Sequence, residues 1–152
     1  MFIVYNSTME NIETTYLNPF INLQGLLAEK INQQSKSDFL TFVRMVAPML
    51  VSDWKMGKHI EVISDKLKDL EEGKIKRLMV FLPPRSSKSV ICSKLFPAWY
   101  IGRNPEHEIL TVSHSDQLSS DFGRSVRDIV NTEEFQKIFR GVALRSDVRA
   151  AG

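Results

Sequence analysis

The spacing of the apolar residues changes near residue 76, and this change limits the folds that the chain can adopt. Up to residue 72, apolar residues recur every three or four positions, as they do on one face of an α-helix. Residues 77–83 instead form a short, continuous apolar run that ends in two prolines, a pattern that predicts a buried strand. Helical and strand patterns then alternate, which predicts an α/β architecture with parallel strands.

By pattern the chain divides into three parts. Residues 1–19 are polar and predict a loose arm. Residues 20–76 predict a helical segment, and residues 77–152 predict an α/β core. Up to residue 76 the predicted elements are helices over 20–33, 39–50 (capped by Asp38) and 55–72 (stopped by Gly73). A strand over 77–83, a helix over 87–99 that Pro97 kinks or ends, and a strand over 108–113 are predicted next. Two helices follow: one capped by Ser113, with Leu118, Phe122, Val126 and Ile129 on one face, and a last one capped by Asn131 and reaching Phe139.

Composition narrows the class of protein. The 152 residues are 43% hydrophobic and 25% charged, which is usual for a globular domain with a core. The formal net charge of +2 is too small to indicate a nucleic-acid-binding protein by itself. Cys92 is the one cysteine, which excludes an internal disulfide and fits a reducing compartment; we expect it to be a small core residue. We expect no secretory signal and no membrane span, because the apolar runs are far shorter than about 20 residues.

The segment from Leu82 to Ser89, with the sequence LPPRSSKS, carries the main chemical signal. A phosphate site needs N–H donors, a positive helix end, a cation and, with magnesium, a hydroxyl ligand. A turn that ends in Lys88-Ser89 supplies all four, with Lys88 for the β- and γ-phosphates and Ser89 for Mg²⁺. Leu82 and Ser87 stand where the pattern G-x-x-x-x-G-K-[ST] has glycine. An ordinary proline-bounded loop that opens a helix is the alternative.

Four blocks in a fixed order extend this signal: 77–89, 96–105, 109–116 and 121–128. Together they resemble the large subunit of tailed-bacteriophage terminases, the ATPases that package viral DNA into a procapsid. The resemblance covers roughly residues 38–152. It implies an incomplete P-loop NTPase core of the ASCE type, with short parallel strands and flanking helices, after an all-helical amino-terminal segment. It also implies ATP and Mg²⁺ as cofactors, bound by Pro84, Arg85, Ser86, Ser87, Lys88, Ser89 and Val90.

The resemblance implies roles for Arg85, Trp54 and His59, and it shows that Ser87 departs from the family pattern. The family normally has glycine before the lysine; if this position needs a positive φ, Ser87 costs on the order of 1 kcal/mol relative to glycine. Arg85 matches the arginine of the family's phosphate loop, and we expect it to stabilise charge on the transferred phosphoryl group. Trp54 and His59 fall where the family places its adenine-side elements, with a structural role as the alternative.

Several polar residues of the second half are candidates for DNA or subunit contacts. We expect Ser113 and Ser115 to cap helices rather than bind DNA. His107 and His114 have no partner at ligand spacing, so we expect no zinc site. Four arginines could contact DNA phosphates or a neighbouring subunit, although pairing of the first two with Asp121 and Asp128 is the stronger expectation: Arg124, Arg127, Arg145 and Arg149.

The sequence after Lys88 lacks the acidic motif of a working ATPase. Such an enzyme needs an apolar strand that ends in Asp-Glu, and the acidic pair Glu133-Glu134 follows no such strand. No carboxylate-rich nuclease segment is present either. We therefore interpret the chain as the amino-terminal ATPase part of a terminase large subunit, truncated before the strands that would pair with 77–83. We expect it to be marginally stable and inactive in hydrolysis alone.

The interpretation implies partners and a location. The intact relative would hydrolyse ATP to translocate double-stranded viral DNA and would cleave the concatemer, with a portal protein, a small terminase subunit and a homo-oligomeric ring, in the host cytoplasm and without a membrane. Two alternatives stay open. One is another P-loop DNA translocase or helicase; the other is a non-catalytic remnant or interaction module with a degenerate phosphate loop.

Overall fold

A computed structural model of the protein describes the backbone of residues 12–143 and the side chains of residues 23–143. The chain divides into two compact units, Met1–Ile31 and Asn32–Gly152. The helices are α1 (Ile12–Ser37), α2 (Phe39–Leu50), α3 (Lys58–Glu71), α4 (Lys88–Val90), a π-helical turn (Ile91–Leu95), α5 (Phe96–Arg103), α6 (Asp116–Val130) and α7 (Glu133–Ile138). None of the described helices is both long and apolar enough to cross a bilayer.

Between residues 12 and 143 all of the regular secondary structure is helical, so the predicted α/β architecture is wrong there. The predicted strands 77–83 and 108–113 are irregular, and neither forms a backbone hydrogen bond with another described residue. A strand exists only when a neighbour completes its hydrogen-bond ladder. The apolar pattern correctly excluded helix at both places, but no ladder forms. An incomplete ASCE-type core with parallel strands is therefore not the fold of this chain.

Helix α2 begins and ends where the sequence predicts. Asp38 has an extended backbone (φ −124°), and its carboxylate accepts hydrogen bonds from the Thr41 N–H at 2.9 Å and the Thr41 hydroxyl at 2.7 Å. A capping side chain of this kind satisfies backbone donors that the first turn leaves free. The apolar face of α2 is buried through Phe39, Phe42, Val43, Val46 and Ala47.

An aromatic cluster forms the centre of the Asn32–Gly152 unit. The Phe39 ring lies 5.2 Å from the Trp99 ring and 5.5 Å from the Phe96 ring. On the other side of α2, the Phe42 ring lies 6.1 Å from that of Phe139. The buried Trp99 indole N–H donates to the Ser35 carbonyl oxygen at 3.0 Å, so the ring is buried without leaving its polar group unpaired. This cluster joins α2 to α5 and α7.

A partly buried ion pair joins the end of α5 to the end of α3. The Arg103 Nε donates to Glu71 Oε1 at 2.9 Å, and the Glu71 side chain is only 7% exposed. The Arg103 guanidinium also lies 4.9 Å from the centre of the Trp99 ring, a cation–π arrangement. Arg103 thereby fixes the carboxyl end of the helical run that follows residue 87.

That run, which we call the loop helix, consists of α4, the π-helical turn and α5, which follow one another without a break. The sequence predicts that Pro97 kinks or ends this helix. Pro97 does not end it, because α5 continues to Arg103. Pro97 has no N–H to donate, and the turn directly before it closes through a Phe96 N–H bond to the Ile91 carbonyl. The hydrogen-bond pattern of the helix has thus already changed from α to π directly before Pro97.

Other helix ends also differ from the predictions. Helix α1 spans Ile12–Ser37 rather than 20–33, so residues 12–19 of the predicted arm are helical, and residues 1–11 lie outside the described residues. Helix α3 begins at Lys58 rather than residue 55, and Gly73 (φ 72°) ends it as predicted.

The predicted caps of the last two helices are displaced. Ser115, not Ser113, caps α6 and accepts a hydrogen bond from the Leu118 N–H at 3.3 Å. Thr132, not Asn131, caps α7 through the Phe135 N–H, also at 3.3 Å. In both places two neighbouring residues could serve as caps, and spacing alone does not choose between them.

Candidate functional site

The turn before the loop helix has an unusual backbone. Arg85 has φ 63°, and Ser87 has φ 60° and ψ 12°, so both lie in the left-handed region. For residues other than glycine this conformation costs roughly 1–2 kcal/mol each, and such strain clusters at ligand-binding sites. The positive φ at Ser87 is the conformation for which a glycine before the lysine would be suited.

A cavity of about 400 Å³ lies inside this turn, within the usual size range for small-molecule sites. The guanidinium-bearing Arg85 and the amine-bearing Lys88 are among its lining residues, together with three serines, and no carboxylate residue of the described chain lines it. The full lining is Leu82, Pro83, Pro84, Arg85, Ser86, Ser87, Lys88, Ser89 and Val90. A cavity lined by two cations and several hydroxyls favours an anion.

Hydrogen-bond donors at the turn lack partners among the described residues. The Ser86 hydroxyl is buried and makes no hydrogen bond there, which costs about 1–3 kcal/mol. The first backbone bond of the loop helix runs from the Ile91 N–H to the Ser87 carbonyl at 3.0 Å. The N–H groups of residues 88–90 therefore donate to no described backbone carbonyl, and they form the positive end of the helical run.

Cys92 lies one turn into the loop helix and packs against the core, as predicted. Burial raises the pKa of its thiol, and the nearby positive charge of Lys88 only partly opposes this effect. The thiol is therefore protonated at neutral pH and is a poor nucleophile.

His59 and Trp54 occupy different surroundings. His59 lies on a second cavity of about 380 Å³ between α3 and residues 78–82, with Val62, Ile63 and Lys66. Leu82 lines this cavity and the turn cavity alike, so the two are neighbours. Trp54 does not line either cavity; it packs against the core, and its indole N–H lies 3.3 Å from the Met56 sulfur. The structure brings His59, but not Trp54, towards the turn.

The candidate arginines are not gathered at one place. Arg124 forms an exposed ion pair with Asp121 at 3.1 Å, which confirms the expected surface pairing. Arg127 forms no ion pair with a described residue, so its expected pairing with Asp128 is not observed. Arg145 and Arg149 lie outside the described residues.

The remaining polar candidates have structural surroundings. Ser115 caps α6 as expected, whereas Ser113, which was also expected to be a cap, is half-buried and caps no described helix. The His107 Nδ1 lies 3.0 Å from the Tyr100 hydroxyl, and His114 is exposed. Within the described part of the chain, no three histidine, cysteine or acidic residues cluster as metal ligands.

Three features of the site were missed by reasoning from the sequence: the left-handed Arg85, the unpaired Ser86 hydroxyl and the cavity beside His59. Only the first had a signal, since proline favours the second position of a type II turn, whose third position, here Arg85, has a positive φ. Comparison with protein-family models, with curated proteins and with solved structures finds no match to the chain. The geometry of the turn and the resemblance to terminase large subunits are therefore the two grounds for a functional proposal.

Proposed function

We propose that the turn over residues 83–90 binds the triphosphate of ATP together with Mg²⁺. We further propose that the chain is an amino-terminal ATPase part of a protein related to phage terminase large subunits. The observation that carries the proposal is the left-handed Ser87 directly before Lys88, in a cavity lined by two cations and no described carboxylate. This is the backbone that a phosphate-holding turn uses glycine to reach.

Each residue of the turn would contact a different part of the bound Mg²⁺–ATP. Lys88 would hold the β- and γ-phosphates, and the Ser89 hydroxyl would be a ligand to Mg²⁺. The Ser86 hydroxyl and the N–H groups of residues 88–90 would donate to phosphate oxygens. Arg85 would neutralise charge on the terminal phosphoryl group. The bound Mg²⁺–ATP supplies the activated phosphoryl group, and the chain binds and orients it.

A place for the base follows from the second cavity. It adjoins the turn through Leu82 and is lined mainly by apolar side chains, with His59 at one side. An aromatic base buries its faces against such a lining, while a histidine nitrogen can bond to its polar edge. We therefore keep His59 as the adenine-side residue of the proposal, and we give Trp54 a structural role.

Hydrolysis is not part of the proposal for this chain alone. No acidic residue in the described part of the chain lines the turn cavity, so neither a base for water nor an acidic group near Mg²⁺ is available there. ATP-driven movement of double-stranded DNA, DNA cleavage and association with a portal protein and a small subunit are proposed for the intact relative.

A second candidate is a non-catalytic interaction module. It is favoured by apolar side chains that project from residues 77–82 and 108–113, including Phe81 and Leu110, which are mostly exposed. Exposed apolar groups of this size mark interaction surfaces. The two candidates differ in whether the turn binds a nucleotide.

Titration of a fluorescent ATP analogue with Mg²⁺ tests the proposal, with Lys88→Ala compared against Lys94→Ala. Lys94 lies on the same loop helix but does not line the turn cavity. We expect Lys88→Ala to weaken binding at least about tenfold, equivalent to about 1.4 kcal/mol, and Lys94→Ala to change it less than about twofold. Equal affinities for Lys88→Ala and the native chain would remove the assignment and leave the interaction module.

A further inference from the structure

Two apolar segments of the Asn32–Gly152 unit have backbones without partners. The segments 77–82 and 108–113 make no backbone hydrogen bond with any described residue, including each other. Their sequences are RLMVFL and EILTVS, which include the β-favouring residues Val80, Phe81, Ile109, Thr111 and Val112, and no proline interrupts either. An unpaired apolar segment of this length is a template on which another strand can add.

Exposure along the 77–82 segment alternates with the period of a strand. Met79 and Phe81 are 77% and 81% exposed, whereas Leu78, Val80 and Leu82 pack against the core. In the 108–113 segment, Leu110 and Val112 are 88% and 80% exposed, and Ile109 between Glu108 and Leu110 is the most covered of the three apolar residues. The 77–82 segment thus has an outward face set by every second residue, and in the 108–113 segment, which is exposed up to Val112, the two most exposed apolar residues are also two positions apart.

One parallel register satisfies both patterns. If Arg77 lies beside Glu108, then Met79 lies beside Leu110 and Phe81 beside Val112, so the two outward faces coincide. The same register brings the basic start of the first segment, Lys76 and Arg77, to the acidic start of the second, Glu106 and Glu108. Cross-strand pairs of opposite charge and of large apolar side chains are those that stabilise a ladder.

Other pairings are less favourable. Parallel pairing of 77–82 with the same segment of a second copy would set Arg77 beside Arg77, and like charges directly opposite are destabilising. Antiparallel pairing of 77–82 with 108–113 would move Glu108 to the Leu82 end and leave Arg77 without its acidic neighbour.

We propose that the chain associates with itself by strand addition, with residues 77–82 of one copy pairing in parallel with residues 108–113 of a second copy. The contact joins two different surfaces. It therefore either closes reciprocally in a dimer with two such ladders or continues head to tail. It shares residues 78–82 with the cavity proposed for the base and uses no residue of the turn over 83–90, so the association is tested without nucleotide.

Disulfide trapping between singly substituted chains tests the register. Chains carrying Met79→Cys are mixed with chains carrying Leu110→Cys, both in a Cys92→Ala background, so that a mixed disulfide must be intermolecular. The matched control replaces Leu110→Cys with Thr111→Cys, whose side chain lies on the other face of the same segment. We expect the mixed dimer from positions 79 and 110 to exceed that from positions 79 and 111 at least about fivefold, since only directly adjacent Cβ atoms satisfy disulfide geometry.

Equal yields, or a dominant Met79→Cys homodimer, would overturn the proposal, the latter because it would mean that like segments pair. A second measurement follows mass against concentration by sedimentation for the native chain, Met79→Pro and Leu110→Pro. Both positions are exposed and donate no hydrogen bond to a described residue, so the helices should keep their circular dichroism. We expect association of the native chain and its loss in both proline variants. A native chain that stays monomeric, or association unchanged by proline, would refute strand addition.

Discussion

The helical core and the two apolar segments differ in how far they bury their large apolar side chains. Phe39 on α2 is fully buried among aromatic rings, whereas Phe81 on the 77–82 segment is largely exposed. A helix satisfies its own backbone, so packing needs only one apolar face. A strand needs a neighbour for its backbone as well. The apolar side chains on one face of α2 are therefore fully buried, whereas a segment without backbone partners covers only one of its sides, through Leu78, Val80 and Leu82.

The largest expected effect comes from the same substitution made in both regions. Phe39→Ala removes a ring from the middle of the cluster and should lower the free energy of unfolding by about 3–5 kcal/mol. Phe81→Ala should change it by less than about 0.5 kcal/mol in dilute protein. Urea unfolding followed by circular dichroism measures both. Similar losses for the two variants would mean that Phe81 is buried in solution.

Two glycines sharpen the comparison within the helical region. A Cβ at Gly102 would lie 2.6 Å from the Phe139 ring, whereas a Cβ at Gly123 would meet nothing within 4 Å. We expect Gly102→Ala to destabilise by about 1–3 kcal/mol through overpacking. Gly123→Ala on α6 should stabilise by about 0.5–1 kcal/mol through helix propensity. Thermal unfolding of the two variants provides the test; stabilisation by Gly102→Ala would contradict the packing of α5 against Phe139.

The next effect concerns the turn. Ser87→Gly should stabilise the protein by about 1 kcal/mol, because it removes the cost of a left-handed serine, and it should tighten ATP binding. Ser120→Gly on the exposed side of α6 is the control and should destabilise by about 0.5 kcal/mol. Denaturant midpoints and the nucleotide titration measure the pair. A destabilised Ser87→Gly variant would show that the backbone of residue 87 is not left-handed.

The smallest effect is a pH dependence at the end of α3. A hydrogen bond from Lys66 lowers the pKa of Asp69, and one from Lys74 lowers that of Glu72. A lowered carboxyl pKa contributes stability above about pH 4, the unfolded value, and that stability is lost as the pH falls through the lower folded value. The hydrogen bond with Glu72 raises the pKa of Lys74. The stability that this raised pKa contributes is fully present below the pKa of the unfolded state and is lost only in alkali, as the pH rises through the folded value.

We therefore expect the difference in thermal midpoint between the native chain and Lys74→Ala to be present at pH 7 and to shrink as the pH falls below about 4. Lys76→Ala, at an exposed lysine without an ion pair to a described residue, is the control and should follow the native profile. A constant difference down to pH 2 would count against these ion pairs.

Much of the helical part was predictable because its signals are local. The Asp38 cap, the periodic face of α2 and the Gly73 stop each act within one or two turns, and the structure confirms all three. The position of the lysine at the start of a helix was predictable for the same reason. The serine and threonine caps of α6 and α7 were displaced because adjacent residues compete for the same donors.

The sheet was not predictable, because a strand depends on residues distant in sequence. The apolar run 77–83 indicates only that the segment is not a helix; the existence of a ladder depends on partners that the local pattern does not contain. The buried Ser86 hydroxyl and the cavity beside His59 likewise arise from tertiary packing and leave no local signature.

The π-helical turn at Ile91–Leu95 lies between the two ends of the loop helix. Trp99 and Arg103 fix the carboxyl end against the core, while Lys88 at the other end faces the turn. In a π turn the hydrogen bond spans one more residue than in an α turn, so deleting one residue within 92–94 would convert the wide turn to α-helical geometry and leave the angular setting of Lys88 nearly unchanged. A deletion from the α-helical residues between this turn and Trp99 would instead rotate Lys88 by about 100° around the axis, if the core end stays fixed. The loop helix thus contains one place where a single codon can be lost while the amine keeps its direction.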